Sequence, residues 1–241
     1  MVSRIKDAVQ KAKFHPGFLA FFINHNFLIR IRLKRQLRRN SQRLKGKLLD
    51  FGCGSKPYKK LFAHVDDYVG IDIKIEGREE NHRFIDEFYD GEKIPFSDEY
   101  FDSILSTEVL EHVFNIETVL SEMYRVLKPG GTALITTPFM WEEHEMPYDF
   151  ARYTPPALKH LYNKHGFEVV EHFKSGDYIS VIFQFLLNYI KNITPGSKVV
   201  RQVFLIPFIA PINFVGSLLG FLLPKSRTAY FNNVFVLRKP L

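Results

Sequence analysis

From residue 47 onward the chain alternates short apolar runs with amphipathic ones. KLLDF (47–51) is a compact apolar run closed by Gly52-Cys53-Gly54, and it predicts a strand. PYKKLFAHV (57–65) predicts a short helical segment, and YVGIDI (68–73) predicts a second strand carrying Asp72 at its end. RFID (83–86) predicts a third strand and FDSILST (101–107) a fourth. NIETVLSEMYRVLK (115–128) spaces its apolar residues as a helix does, and Pro129-Gly130-Gly131 breaks it. TALITTP (132–138) is the fifth strand, TPPALKHLYNKHG (154–166) a helix with Pro near its start and Gly at its end, and FEVVEHF (167–173) the sixth strand. YFNNVFVLRK (230–239) alternates and makes a seventh. Strands separated by helices predict an α/β fold: a mostly parallel sheet with helices on both faces.

Two stretches fall outside that rhythm. Residues 14–39, FHPGFLAFFINHNFLIRIRLKRQLRR, run from aromatic and aliphatic into densely basic. They read either as a core-covering helix with a solvated basic end or as an interfacial helix facing anionic headgroups. Between the sixth and seventh strands lie YISVIFQFLLNYI (178–190) and VFLIPFIAPINFVGSLLGFLL (203–223). The second run has no charge over 21 residues, long enough to cross a bilayer. Pro207, Pro211, Asn213 and Gly216 argue against a plain spanning helix, and a strand that rejoins the sheet needs the chain back on the side it left. The expectation is a hydrophobic helical cap touching a membrane surface or enclosing a greasy substrate, against a plain lid or dimer surface. The predicted organisation is a helical arm over 1–46 and a main domain over 47–241, with the hydrophobic insertion at about 178–225.

Charge sharpens this division. The chain's net +7 is concentrated in residues 8–49, which hold eleven Lys/Arg and no acid, whereas residues 50–241 carry a net −5. A nucleic-acid enzyme spreads positive charge around its cleft, so nucleic acid is not expected as the substrate. The single cysteine, Cys53, excludes an internal disulfide and reads as a small residue at a tight turn. Residues 1–13 are polar and charged, no signal peptide is expected, and the expected location is the cytoplasm or the inner membrane face.

A Gly-x-Gly turn after the first strand of a doubly wound sheet is where nucleotide-like ligands sit. GCGSKP places Pro57 where a third glycine would serve a diphosphate. Asp72, 18 residues after Gly54, is placed to accept hydrogen bonds from two ribose hydroxyls. Together they point to a nucleoside without a diphosphate.

LLDFGCG, VGIDI, DGEKIPFSDEYFDSILSTEVLEHV and RVLKPGGTALITTPF together resemble the class I S-adenosylmethionine-dependent methyltransferases over about residues 47–173, with the seventh strand at the end. GCGSKPY and HEMPYDFARYT resemble a subgroup with a GCGxxPY motif. The resemblance implies a Rossmann-like seven-stranded sheet, S-adenosylmethionine as cofactor and S-adenosylhomocysteine as product. It implies that the loop bearing Asp50, Gly52, Cys53, Gly54 and Tyr58 passes the methionine moiety. Asp72 and Ile73 would hold the ribose, Asp90 and Gly91 the adenine, and Thr107 and Glu108 would complete the cofactor surface.

A sulfonium methyl is already activated, so the protein must align a nucleophile and, for a hydroxyl, accept its proton. Two clusters offer that chemistry. In EVLEH, Glu108, Glu111 and His112 would share one face if helical, and quinone O-methyltransferases with a similar string hold a divalent cation there. No metal is expected here; if there is one, these three residues hold it. In WEEHEMPYDFARYT (141–154), His144 suits a general base that Asp149 orients, while Tyr148, Arg152 and Tyr153 suit substrate contacts. The catalytic set is then His144, Asp149 and His112. The bland alternative pairs Asp149 with Arg152 structurally and packs Tyr153. The expected acceptor is a glycan or lipid-linked hydroxyl, with a quinone-like apolar molecule as the alternative. A cofactor-binding but inactive partner subunit is the reading from a different class, and a homodimer is left open.

Overall fold

The computed structural model describes residue 14, residues 16–74 and residues 79–241. Expectations for residues 1–13, including the absence of a signal peptide and the start of the arm, lie outside the described residues. Seven strands form one sheet: β1 (Lys47–Phe51), β2 (Asp67–Ile73), β3 (Glu87–Tyr89), β4 (Phe101–Thr107), β5 (Leu127–Pro138), β6 (Glu168–Ser175) and β7 (Asn232–Arg238). Their order is β3-β2-β1-β4-β5-β7-β6. β1 pairs in parallel with β2 and β4, β4 with β5, and β2 with β3, whereas β7 runs antiparallel to β5. The strand order reverses at β1, so the crevice at its carboxyl end is a topological switch point. This is the expected mostly parallel, Rossmann-like sheet.

The helices are α1 (Phe18–Ile23), α2 (Phe27–Asn40), α3 (Ile116–Val126), α4 (Pro155–Lys164), α5 (Tyr178–Ile193) and α6 (Lys198–Leu222). α3 buries Ile116, Val119, Leu120, Met123 and Val126, the apolar stripe that its spacing predicts. Thr154 caps α4 by accepting from the Ala157 amide, and Pro155-Pro156 fill positions whose N–H groups would have no helical partner. By contact pattern the chain forms two units. The sheet unit comprises Leu37–Phe173 and Asn232–Leu241; the helical unit comprises Met1–Gln36 and Lys174–Phe231.

Several sequence expectations are corrected. RFID is not a strand: a 3-10 turn runs from Glu79 to Phe84, and β3 begins at Glu87. The reason is Asp86, whose carboxylate takes the Gly70 amide at 2.7 Å and pairs with Lys56. PYKKLFAHV forms only a 3-10 turn over Lys59–Phe62. Pro129-Gly130-Gly131 does not end α3, which stops at Val126; the three residues lie inside β5, which starts at Leu127 and absorbs them where its register with β4 shifts. Pro207 and Pro211 do not interrupt α6, which is continuous over 25 residues.

In the sheet unit one side chain fixes the loop between β3 and β4. Arg125, near the end of α3, donates to the carbonyls of Phe96 (2.9 Å) and Ile94 (3.0 Å) and to Asp98 (2.8 Å). It also forks onto both oxygens of Glu122, at 2.8 and 2.6 Å, and Glu122 in turn accepts from the Ile94 amide. A lysine cannot reproduce this planar fork. Arg125→Lys should therefore lose about 2–3 kcal/mol of stability, seen as a fall of roughly 5–10 °C in thermal melting. An unchanged melting temperature would show that the fork contributes nothing net.

Candidate functional site

The loop after β1 is built for close approach. Gly52 has φ +70° and lies against Val109, so a side chain there would be strained in conformation and would collide. Gly54 has φ +50° and faces open space, leaving its backbone available to a ligand. The amides of Gly52 and Cys53 both donate to the Ile71 carbonyl, at 2.9 and 3.0 Å. Asp72, at the end of β2, accepts from the Gly54 amide at 2.7 Å and from the Ile73 amide at 2.8 Å. The glycine loop and Asp72 are thus brought together.

Asp50 is 3% exposed and accepts from the Tyr68 hydroxyl at 2.5 Å. Burial pushes its carboxyl up to about 7, against the lowering effects of Tyr68 and Lys56. Cys53 is buried, and burial raises its thiol well above the ordinary range, so it is no nucleophile at neutral pH. Tyr58 is buried at the start of a 3-10 turn. Asp90 and Gly91 form the exposed turn after β3, where Asp90 accepts from the amides of Glu92 (2.8 Å) and Lys93 (2.9 Å). Thr107 ends β4.

The EVLEH segment departs from expectation. Glu108 has φ +56° and is not helical; only Leu110–His112 form a 3-10 turn. Glu108 accepts from Thr136 Oγ1 at 2.6 Å and from Asn232 Nδ2 at 2.5 Å, so it does not share a face with Glu111 and His112. Glu111 is 1% exposed, and among the described residues neither of its carboxylate oxygens has a hydrogen-bond partner. Burial and the nearby Glu108 raise its pKa well above the carboxylate range. Glu111, His112 and His144 have ligand atoms within 4.8 Å of one another, a mixed carboxylate and imidazole set that suits a transition metal better than Mg²⁺. His144 therefore takes the place that the sequence pattern gives to Glu108.

His144 lies on the loop after β5. The Asp149 carboxylate accepts from the His144 amide at 2.9 Å and lies 3.3 Å from its Nδ1. It also receives both guanidinium nitrogens of Arg152, at 2.6 and 2.7 Å. Arg152 further donates to the Glu142 carbonyl at 3.0 Å, so the bidentate pair fixes the loop as well as the imidazole. Burial outweighs Asp149 and lowers the His144 pKa below its usual 6.5, while the Arg152 fork holds Asp149 at about 2. His112 bonds through Nδ1 to the Tyr148 carbonyl at 2.8 Å, and its ring meets that of His144 edge-on at 4.7 Å. Tyr148 is 60% exposed, and Tyr153 packs on the core.

Sequence reasoning missed Asn232 and Asn233, both fully buried at the start of β7. Asn232 bonds Glu108; Asn233 donates to the Tyr153 carbonyl at 3.1 Å and meets His172 at 3.0 Å. An Asn pair at the head of an otherwise apolar strand was the available signal.

Residues 26–172 match a family model described as a methyltransferase domain. Over 107 residues the chain is 36% identical to the mitochondrial ubiquinone biosynthesis O-methyltransferase of Mus musculus, covering 38% of this chain and 28% of that protein. It is 33% identical over 129 residues to the demethylmenaquinone methyltransferase of Streptomyces griseus, covering 47% and 53%. The chain thus spans less than two thirds of the length of these curated relatives. Among solved structures, the [4+2]-cyclase SpnF aligns over 87% of this chain and 81% of its own, with 18% identity and TM-score 0.58. Phosphoethanolamine N-methyltransferase 2 of Haemonchus contortus, in complex with S-adenosyl-L-methionine, aligns over 92% and 55%, with 17% identity and TM-score 0.57. Those two likenesses establish the fold, which a cyclase and a methyltransferase share.

Asp50 makes stability depend on pH. Its folded pKa lies above its unfolded value, so its contribution is fully present below about pH 4 and is lost as pH rises through about 7. Asp50→Asn keeps an acceptor for Tyr68 and removes the ionisation. In urea unfolding without cofactor, the variant should gain on the wild type between pH 5 and pH 8. Parallel profiles for the two proteins would refute the assignment.

Proposed function

Because the chain belongs to the class I S-adenosylmethionine-dependent methyltransferase family, whose domain it matches over 26–172, we propose that it moves a methyl group from that cofactor to a hydroxyl oxygen of an apolar, quinone-like acceptor. One observation carries the cofactor half: the glycine loop, open at Gly54, with Asp72 bonded to the same loop at the carboxyl edge of the sheet. This cradle fits a ligand with an amino-acid end near the buried Asp50 and a ribose near Asp72. Asp90 and Gly91 stand on the next loop for the adenine. The quinone-like acceptor is supported by the ubiquinone and menaquinone enzymes among the relatives, and oxygen as the methylated atom by the first of them, which is named an O-methyltransferase. A glycan or lipid-linked hydroxyl is the second reading.

The bound cofactor supplies an activated methyl. The chain's own task is to orient the acceptor and take its proton. His144 is suited to the second part, because its lowered pKa keeps the imidazole neutral and basic at pH 7. Asp149 and Arg152 hold the loop that carries it. Glu111, His112 and His144 would hold a divalent cation in the competing arrangement, where a metal polarises the hydroxyl in place of a free base.

Asp72→Ala should weaken cofactor binding about ten- to a hundred-fold by calorimetry in a protein that stays folded. Unchanged affinity would mean that the cradle is misassigned. In turnover with labelled cofactor and a demethylated quinol, His144→Ala should fall about 10²- to 10⁴-fold with cofactor affinity intact. The wild type's acid limb should lie below the usual histidine value. If chelator abolishes turnover and Mn²⁺ or Zn²⁺ restores it, the cation reading replaces the free-base one. Cofactor binding with no labelled product from any acceptor would favour the inactive partner subunit.

A further inference from the structure

The helical unit is built inside out. α5 and α6 form an antiparallel hairpin: the Tyr178 amide, at the start of α5, donates to the Ser226 carbonyl just beyond the end of α6, at 2.9 Å. Between the helices, Leu187, Leu205 and Ile209 pack into a small cluster. Gly216 allows close approach, since a Cβ there would lie 2.7 Å from Phe183 Cβ. The buried positions also hold amides. Gln184 donates to the His25 carbonyl (2.8 Å) and to Asn188 Oδ1 (3.1 Å), and Asn213 donates to the Phe21 carbonyl (2.9 Å). Gln184 and Asn213 are fully buried, and Asn188 nearly so. Small residues and amide bonds between helices are what packing in lipid uses, where apolar burial gives no drive.

The outside is the reverse. α6 exposes Phe204, Phe208, Phe214 and Leu218, and α1 exposes Phe18 and Leu19. In the most apolar 18-residue window of α6, 22% is buried, whereas a core helix would be mostly covered. No charge occurs from Gln202 to Pro224. Charge is gathered at the ends: Lys191 and Arg201 around the hairpin tip, and Lys174, Lys225 and Arg227 around its base. In residues 14–36 and 174–231 together, ten Lys/Arg stand against one acid, Asp177.

From this reversed polarity and the one-signed charge, we propose that the helical unit seats in an anionic lipid bilayer. The α5–α6 hairpin enters and leaves by the same face, with its apolar exterior in hydrocarbon and its basic ends among the headgroups. α6, at 25 residues, is about 37 Å long, whereas α5, at 16, is about 24 Å and too short to cross, so the hairpin lies at a shallow angle with both basic ends at one headgroup layer. Two signals, apolar insertion and attraction to anionic lipid, make the association stable. The seat does not depend on what the sheet unit methylates.

The full-length chain, released from detergent into vesicles of phosphatidylcholine alone or with one quarter phosphatidylglycerol, is floated on a density gradient. It should float with both and bind at least about tenfold more tightly with the anionic lipid. At 0.5 M NaCl the preference should shrink, and an alkaline carbonate wash should not release the protein, because buried apolar area is not screened. The combined substitution Phe204→Ser, Phe208→Ser, Phe214→Ser, Leu218→Ser should cut partitioning by about 10²-fold or more with cofactor binding retained. Where that variant fails to fold, Phe204→Trp in a Trp141→Phe background replaces it: brominated lipid should quench its fluorescence. A detergent-free soluble chain that ignores both vesicles, with the Phe204→Trp variant's fluorescence unquenched, would overturn the proposal. So would a soluble dimer by sedimentation that the serine variant converts to monomer, since a second copy then covers the face.

Discussion

The carbonyl of Ile71 accepts two amides at once, those of Gly52 and Cys53, and so turns the chain sharply off β1 while keeping it against β2. That pair of hydrogen bonds requires Gly52 to adopt a positive φ with Val109 at its back, a position closed to any side chain. It also brings the Gly54 amide within 2.7 Å of Asp72. Loop and acid are therefore tied together, with open space on the Gly54 side. Asp50, at the end of β1 just before that turn, is buried, and burial pushes its carboxyl up to about 7.

The second half of the site follows another logic. Here the loop after β5 has no glycine cradle and is held by charge. Arg152 binds Asp149 through two nitrogens, and the same carboxylate holds the His144 backbone. The result is an imidazole fixed in place, its pKa lowered by burial, set edge-on to His112 and close to the buried Glu111. Glu111, His112 and His144 thus stand with their ligand atoms within 4.8 Å of one another, the last of them on a loop held by charge.

Much of this was readable in the sequence because it depends on local pattern. The strands at 47–51, 68–73, 101–107 and 132–138, the helix near 115–128 and the Gly-x-Gly turn all declare themselves by spacing and punctuation. The family resemblance is likewise carried by those segments. What stayed hidden depends on contacts distant in sequence. RFID has strand-like residues, but Asp86 commits its carboxylate to Gly70 and Lys56 and displaces the strand by one step. Glu108 sits at helical spacing from Glu111 and His112, yet Thr136 and Asn232, 28 and 124 residues away, draw it elsewhere. The prolines of α6 look like breakers only if the helix is assumed to need every amide bond.

Because β7 lies between β5 and β6, the sheet stays open while the chain comes off the ribosome. β5 and β6 emerge early, but their common neighbour follows only after the two long helices of residues 178–222. Until residues 232–238 arrive, each of those strands keeps an unpaired edge, the kind of backbone that templates aggregation. The nascent protein must therefore hold those edges apart through the synthesis of its most apolar segment. Chains that stall inside that segment should be the ones that quality-control proteases see.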